Sequence, residues 1–307
     1  MKIYVSAPNE NWILDRIASE WRENRPSFNT NNIHEADVVW FLDSYSWRKF
    51  HPVVLNTKKI VASVHHVVPW KFNLQEFMMR DQIVDCYHVP CLQTKNFIKK
   101  LTQKPISVVG YWYNPQLWFP ADKTQARAKL KITEEKYVVG SFQRDTEGHD
   151  LKTPKFEKGP DLFCEYVKGI NKDVHVLLGG WRRQYVIGRL EEAKIPYTYK
   201  EMAPIDSIRE MYAACDLYVV SSRHEGGPQA LLEASAMKVP IVSTNVGMAP
   251  QILSERCILE HDNKKIYTTH FPTKEDINKC YENVLKYNVE THIEKYVQMF
   301  NKVNEKK

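Results

Sequence analysis

Apolar positions along this chain gather in short unbroken runs separated by stretches of helical length. In the C-terminal half the runs are residues 137–142, 174–178, 217–220 and 240–243, with helical periodicity over 161–170 and 206–214 between them. A strand that is continuously apolar, rather than alternating, is buried on both faces, as in a parallel sheet. Strand alternating with helix predicts an α/β doubly wound domain. Gly159-Pro160 and Gly227-Pro228 each put proline where a helix begins, the position that tolerates it. The N-terminal half repeats the pattern more weakly, with strands predicted at 2–6, 37–42, 59–64 and 85–88 and helices at 12–23 and 93–101. Residues 111–120 carry two prolines and no sustained period, which predicts a linker and a boundary near residue 115. Residues 289–303 predict a terminal helix with Ile293, Tyr296, Val297 and Phe300 on one face. The expected organisation is a first domain over 1–115, a second over 116–285, and a C-terminal helix over 286–307 crossing back to the first.

Composition narrows the class without naming a chemistry. The 307 residues are 43% apolar and 26% charged, which is the balance of a globular protein with room for two cores. The six cysteines form no Cys-x-x-Cys pair and four sit in apolar runs, so buried reduced thiols are expected. The chain opens on a strand-like segment with no signal sequence, and no run is long enough to cross a bilayer. A cytoplasmic location follows as the expectation, with the inner face of a membrane as its variant. The net charge of +6 suits an anionic ligand, a membrane surface or nucleic acid alike, but the lysines are dispersed and no nucleic-acid-binding signature accompanies them. No nucleic-acid partner is expected.

The chemistry concentrates in the run Ser221-Ser222-Arg223-His224-Glu225-Gly226-Gly227-Pro228-Gln229-Ala230-Leu231-Leu232-Glu233-Ala234. It follows a buried run and leads into a helix predicted to start about Pro228. Backbone N–H groups over 227–231 would face an anion at that helix N-terminus, where the helix dipole favours negative charge. The paired glycines let a phosphate approach the backbone. Glu225 stands before the helix and Glu233 about one and a half turns inside it. Carboxylates repel phosphate, so both are better suited to accept hydrogen bonds from hydroxyls. A nucleotide sugar carries both phosphates and hydroxyls. The competing reading is a plain helix cap with two solvated glutamates.

Residues 224–247 resemble the donor-site signature of retaining GT-B glycosyltransferases of glycosyltransferase family 4. That signature is a Glu, seven residues, a second Glu and a small residue, then a Pro-led strand and a Gly. Here it reads Glu225, Glu233, Ala234, Pro240-Ile241-Val242-Ser243 and Gly247. The resemblance implies two Rossmann-like doubly wound domains facing across a cleft, with no cofactor and a nucleotide-diphosphate sugar (UDP-, GDP- or ADP-linked) as co-substrate. It implies that Glu225 contacts the donor sugar, that Glu233 holds the ribose, and that Gly226, Gly227, Pro228, Gln229, Ala230 and Leu231 line the diphosphate. Arg144 resembles the family's phosphate-binding arginine, and Lys158 resembles the lysine that neutralises the leaving diphosphate. Fixed cations there lower the barrier because leaving-group charge grows in the transition state. A histidine after the strand ending near residue 64 would stand close to the transferred sugar; His65 and His66 both qualify, with His66 preferred. A structural histidine is the alternative, while a two-histidine metal pair conflicts with the opposite facing of neighbours on a strand.

The chain departs from that family in places. Ser6-Ala7-Pro8-Asn9-Glu10-Asn11 replaces its glycine-rich loop, and Lys200-Glu201 stands where a glycine is common. The spacer 145–157 is long and polar, so Lys152 and Lys155 compete with Lys158 for the cationic role. The expected activity is retaining transfer of a hexose-type sugar to an acceptor hydroxyl, whether of a glycan, a lipid-linked sugar, a protein or a small molecule. No Asp-x-Asp motif is present, so no metal is expected. The alternatives are a silent nucleotide-sugar binder, a nucleotide-sugar epimerase and a DNA-base glucosylating protein. Trp12, Trp47, Trp70 and Trp112 are available for sugar stacking or for core packing. Trp70-Lys71-Phe72 offers a peripheral membrane contact.

Overall fold

The computed structural model describes residues 1–10, 12–148, 150–262, 264–266 and 271–305. Asn11 and His149, members of two loops singled out above, lie outside the described residues. The chain divides into two units, Met1–Trp112 together with Tyr287–Lys307, and Tyr113–Lys286.

The first unit holds β1 (Ile3–Ser6), β2 (Asn29–Thr30), β3 (Val38–Phe41), β4 (Lys59–Ser63), β5 (Cys86–Val89) and β6 (Ile106–Val108), in the order β2-β1-β3-β4-β5-β6. The second holds β7 (Tyr137–Phe142), β8 (Val174–Gly179), β9 (Tyr197–Lys200), β10 (Leu217–Val220), β11 (Ile241–Thr244) and β12 (Ile258–Leu259), in the order β12-β11-β10-β7-β8-β9. Among the described residues every pairing between these strands is parallel. Both sheets are doubly wound, and the second has the strand order of dinucleotide-binding folds. In each, the chain returns across its own first strand and leaves a switch point, between β1 and β3 and between β7 and β10.

The central strands are apolar on both sides because helices cover both faces. Val139, Val176, Leu178, Leu217, Val219 and Val242 pack with Leu162, Phe163 and Val167 of the helix Pro160–Lys168. Val39, Phe41, Ile60, Ala62 and Tyr87 do the same in the first unit.

Three differences from the sequence reading have physical causes. Pro240 lies just outside β11: it has no N–H for the ladder, and its carbonyl accepts from the Tyr218 amide at 2.7 Å. The terminal helix is broken at Ile293 into Val289–His292 and Glu294–Asn304, although Ile293, Tyr296, Val297 and Phe300 are all buried as their spacing implies. Residues 111–120 are irregular, but they are no exposed tether. The Trp112 indole is buried and donates to Glu20 at 2.6 Å, and the Trp118 ring meets Tyr212 edge-on at 5.7 Å. All six cysteines are free and buried. Among the described residues no helix is long and apolar enough to cross a membrane.

Candidate functional site

The loops that leave β7, β10 and β11 converge at the switch point of the second sheet. Such a point is where open α/β sheets take ligands. The loop after β7 supplies Gln143 and Arg144, and the one after β10 supplies residues 221–228. A single helical turn, Phe156–Lys158, brings Lys158 in from the side. The Lys158 ammonium and the Glu225 carboxylate form a close ion pair, and Ser222 Oγ donates to the same Glu225 oxygen at 3.4 Å. Gln143 braces both loops, donating to the Lys158 carbonyl at 3.0 Å and accepting from Ser222 at 3.4 Å. Both charged side chains are largely buried, at 19% and 9% exposure. At that burial the mutual attraction of the two charges offsets part of the cost of taking them out of water.

Two glycines are required by this packing. Gly159 has φ +58°, and a Cβ there would sit 2.0 Å from the Ser221 carbonyl oxygen; Ser221 Oγ instead donates to the Gly159 carbonyl at 2.8 Å. Gly247, the glycine of the signature, has φ +54°, and a Cβ would sit 2.2 Å from the Gly226 carbonyl. The turn preceding the helix thus rests directly on backbone.

The helix itself is Gln229–Ala236, with Pro228 as its N-cap and no side-chain cap. The expectation of open N–H groups over 227–231 needs correcting at two positions, 228 and 231. Pro228 has no N–H, and the Leu231 amide already donates to the Pro228 carbonyl at 3.0 Å, closing the first turn. Glu233 is buried, and its Oε2 accepts from the Tyr212 hydroxyl at 2.9 Å. Burial beside that carboxylate pushes the Tyr212 phenol well above its ordinary range.

The other predicted residues divide clearly. Of the three candidate lysines only Lys158 meets Glu225; Lys155 lies 3.6 Å from Glu157, and Lys152 is exposed. Arg144 donates to the Thr146 carbonyl at 2.8 Å, and its guanidinium lies over the exposed Trp181 ring at 4.9 Å, with Arg182 over that ring at 4.1 Å. His65 and His66 belong to the first unit and lie beyond β4 rather than on it. The His65 Nε2 bonds the Leu42 carbonyl, which can only accept, so Nε2 carries the proton and Nδ1 accepts from the Tyr111 hydroxyl. Desolvation outweighs these contacts and pulls His65 down to about 4, so the ring is neutral near pH 7. His66 is exposed. Trp112 is core, whereas Trp12 and Trp70 are exposed and Trp47 is half-buried. Gln143, Ser222 and Tyr212 carry no signal in the sequence: Gln143 meets Ser222 across 79 residues and Tyr212 meets Glu233 across 21, while the short Ser222–Glu225 contact belongs to no motif.

A cation paired with a carboxylate, below an uncapped helix start, is a site able to exchange one internal ion pair for a ligand with both anionic and hydroxyl groups. Two doubly wound units with that loop in the second define a GT-B architecture of glycosyltransferase type. The comparisons with known proteins agree. Residues 151–269 match the family model of the glycosyl transferases group 1. In sequence, the lipopolysaccharide core biosynthesis mannosyltransferase LpsB of Rhizobium meliloti (strain 1021) is 27% identical over 145 residues. That match covers 44% of this chain and spans only 39% of the relative's length. In structure, Anabaena Alr3699/HepE in complex with UDP and glucose superposes with a TM-score of 0.76 at 13% identity, over 98% of this chain and 100% of that one. Sucrose-phosphate synthase from Thermosynechococcus elongatus gives 0.65 at 14% identity, over 97% and 80%. At such identities the structural likeness speaks for the fold. The chain is similar to the group 1 glycosyl transferases in its second unit, and its fold is GT-B.

Proposed function

We propose that the protein is a retaining glycosyltransferase that moves a hexose-type sugar from a nucleotide-diphosphate donor to an acceptor hydroxyl. The observation that carries this reading is the Lys158–Glu225 pair set against the start of the helix Gln229–Ala236. When a donor enters, its diphosphate takes Lys158, with Arg144 as second cation, and the donor sugar's hydroxyls take Glu225. Amides of Gly226, Gly227, Gln229 and Ala230 receive the remaining phosphate oxygens, and Glu233 serves the ribose. The bond from the anomeric carbon to the diphosphate breaks, and its electron pair leaves with the diphosphate. The acceptor oxygen bonds on the same face, and its proton passes to a diphosphate oxygen. Lys158 stabilises the charge that accumulates on the leaving group. A glycan or lipid-linked sugar is the acceptor this reading favours over a protein or a small molecule, and exposed Trp70 beside Lys71 serves as a peripheral membrane contact.

The test is a thermal-shift and calorimetric screen against UDP, GDP, ADP and their common sugars, followed by NMR of the anomeric configuration of the hydrolysed or transferred sugar. One nucleotide class should raise the melting temperature, because a ligand that binds only the folded state stabilises it. Retained configuration is expected. Inversion removes the proposed mechanism, and silence toward every nucleotide at millimolar concentration removes the donor site.

A further inference from the structure

Lys158 and Glu225 sit on separate loops, and something must hold those loops in register. Arg223 does so. It is two residues before Glu225, and its side chain is 1% exposed. Its guanidinium reaches Asp161 with both terminal nitrogens, at 2.8 and 2.7 Å, and donates to the Phe156 carbonyl at 3.1 Å. The same group lies over the Phe156 ring, 3.9 Å from its centroid. Phe156 and Asp161 flank Lys158 on either side, so one guanidinium grips the Lys158 turn at both ends. The backbone completes the grip: the Arg223 and His224 amides both donate to the Glu157 carbonyl, at 2.8 and 3.1 Å.

From this we infer that Arg223 is a positioning residue for the Lys158–Glu225 pair, and the inference rests on the donor-site reading given above. Asp161 neutralises its charge and burial shuts it from solvent, so it acts through Lys158 rather than on the diphosphate. The role requires arginine. A planar fork can bond a carboxylate through two nitrogens while stacking on an aromatic ring, and a lysine ammonium cannot do both.

The experiment compares the wild type with Arg223→Met, Arg223→Lys, Lys158→Met and the double variant Arg223→Met/Lys158→Met in the full chain. Turnover of the nucleotide sugar found by the screen is measured alongside amide hydrogen exchange. Arg223→Met should lower kcat at least 30-fold and weaken donor binding to about the extent that Lys158→Met does, with Arg223→Lys recovering little. Adding Lys158→Met to Arg223→Met should then cost less than fivefold, because the lysine is already misplaced. Exchange should quicken at least tenfold at residues 156–161 and 221–226 and stay unchanged in β7 and β8. Multiplicative losses in the double variant, or faster exchange throughout the second unit, would overturn the inference by showing a general stabilising role. A wild type that neither binds nucleotide nor turns over any nucleotide sugar fails the donor-site reading itself. Unchanged exchange in Arg223→Met alongside normal wild-type turnover fails the clamp alone.

Discussion

Lys158 and Glu225 are tied to each other only while nothing else claims them, which makes their variants move in opposite directions. Lys158→Met removes the cation and leaves a buried carboxylate without it. Nucleoside diphosphate binding should weaken by at least about tenfold, and kcat should fall by roughly 10²- to 10³-fold, the usual cost of losing one charge-stabilising donor. Glu225→Gln keeps the shape and frees the lysine. Diphosphate affinity should then rise by about threefold to tenfold, a gain of no more than about 1.4 kcal/mol, because the ligand no longer competes with the carboxylate for Lys158, while turnover still collapses. Calorimetry with the nucleotide identified by the screen reads both. Weaker binding in Glu225→Gln would show that the ion pair is no competitor of the ligand. At this scale the sequence displays residue types and local spacing only. Glu225 and Glu233 are legible because loop and helix place them a fixed number of residues apart. Arg223 is not, because its partner Asp161 lies 62 residues away and the two meet only when the helix after β7 folds back beside β10. The engagement of Glu233 by Tyr212, across 21 residues, is hidden for the same reason.

The interior strands are legible as elements because burial on both faces forces an unbroken apolar run, as in β3 and β10. The short edge strands β2, β6 and β12 are not, since a strand of two or three residues with a half-exposed face carries no run to see. Side chains also stitch strands together in ways that hydropathy conceals. Trp40 on β3 donates to Ser63 Oγ on β4 at 2.9 Å, Ser63 Oγ meets His88 Nδ1 on β5 at 2.9 Å, and His88 Nε2 meets the Val109 carbonyl at 2.8 Å. The carbonyl can only accept, so His88 holds its proton on Nε2, Ser63 donates to Nδ1, and the chain is satisfied only by a neutral ring. Burial accordingly pulls His88 down from 6.5 to about 3. The unfolded chain takes up a proton below pH 6.5 that the folded chain refuses, so stability is full above that pH and declines as pH falls toward 3. The slope from this residue is about 1.4 kcal/mol per pH unit. Melting temperatures measured from pH 7.5 to 5 should fall more steeply in the wild type than in His88→Gln. The variant starts lower by about 1–3 kcal/mol, the cost of leaving buried partners unsatisfied. Parallel curves would mean that His88 is protonated in the folded protein.

At the scale of the whole chain, the second unit is one continuous segment while the first is completed only by residues after Tyr287. Those last residues are structural for the first unit. Phe300 lies 5.4 Å from Trp21 and 5.3 Å from Trp40, and Tyr296 lies 5.4 Å from Trp40 and 4.9 Å from Trp112. His292 and Tyr296 both bond the Gly110 carbonyl, at 2.8 and 3.1 Å. Truncating even one buried aromatic costs about 3–5 kcal/mol, so removing the whole segment exceeds what a marginally stable unit can lose. A chain ending at residue 286 should therefore expose its N-terminal aromatic cluster, bind a hydrophobic dye and lose the cooperative unfolding of the first unit. The fragment 113–286 contains Arg144, Lys158, Arg223, Glu225 and Glu233 with the glycines that seat them. Produced alone, it should fold and bind the nucleoside diphosphate within about tenfold of the intact chain, a difference of no more than about 1.4 kcal/mol, and it should transfer no sugar. Undiminished folding of the 1–286 chain would show that the terminal helices merely cover a core already stable without them. A folded 113–286 fragment with no nucleotide affinity would mean that the donor is held by groups from both units, and the switch point between β7 and β10 would then be only part of its site.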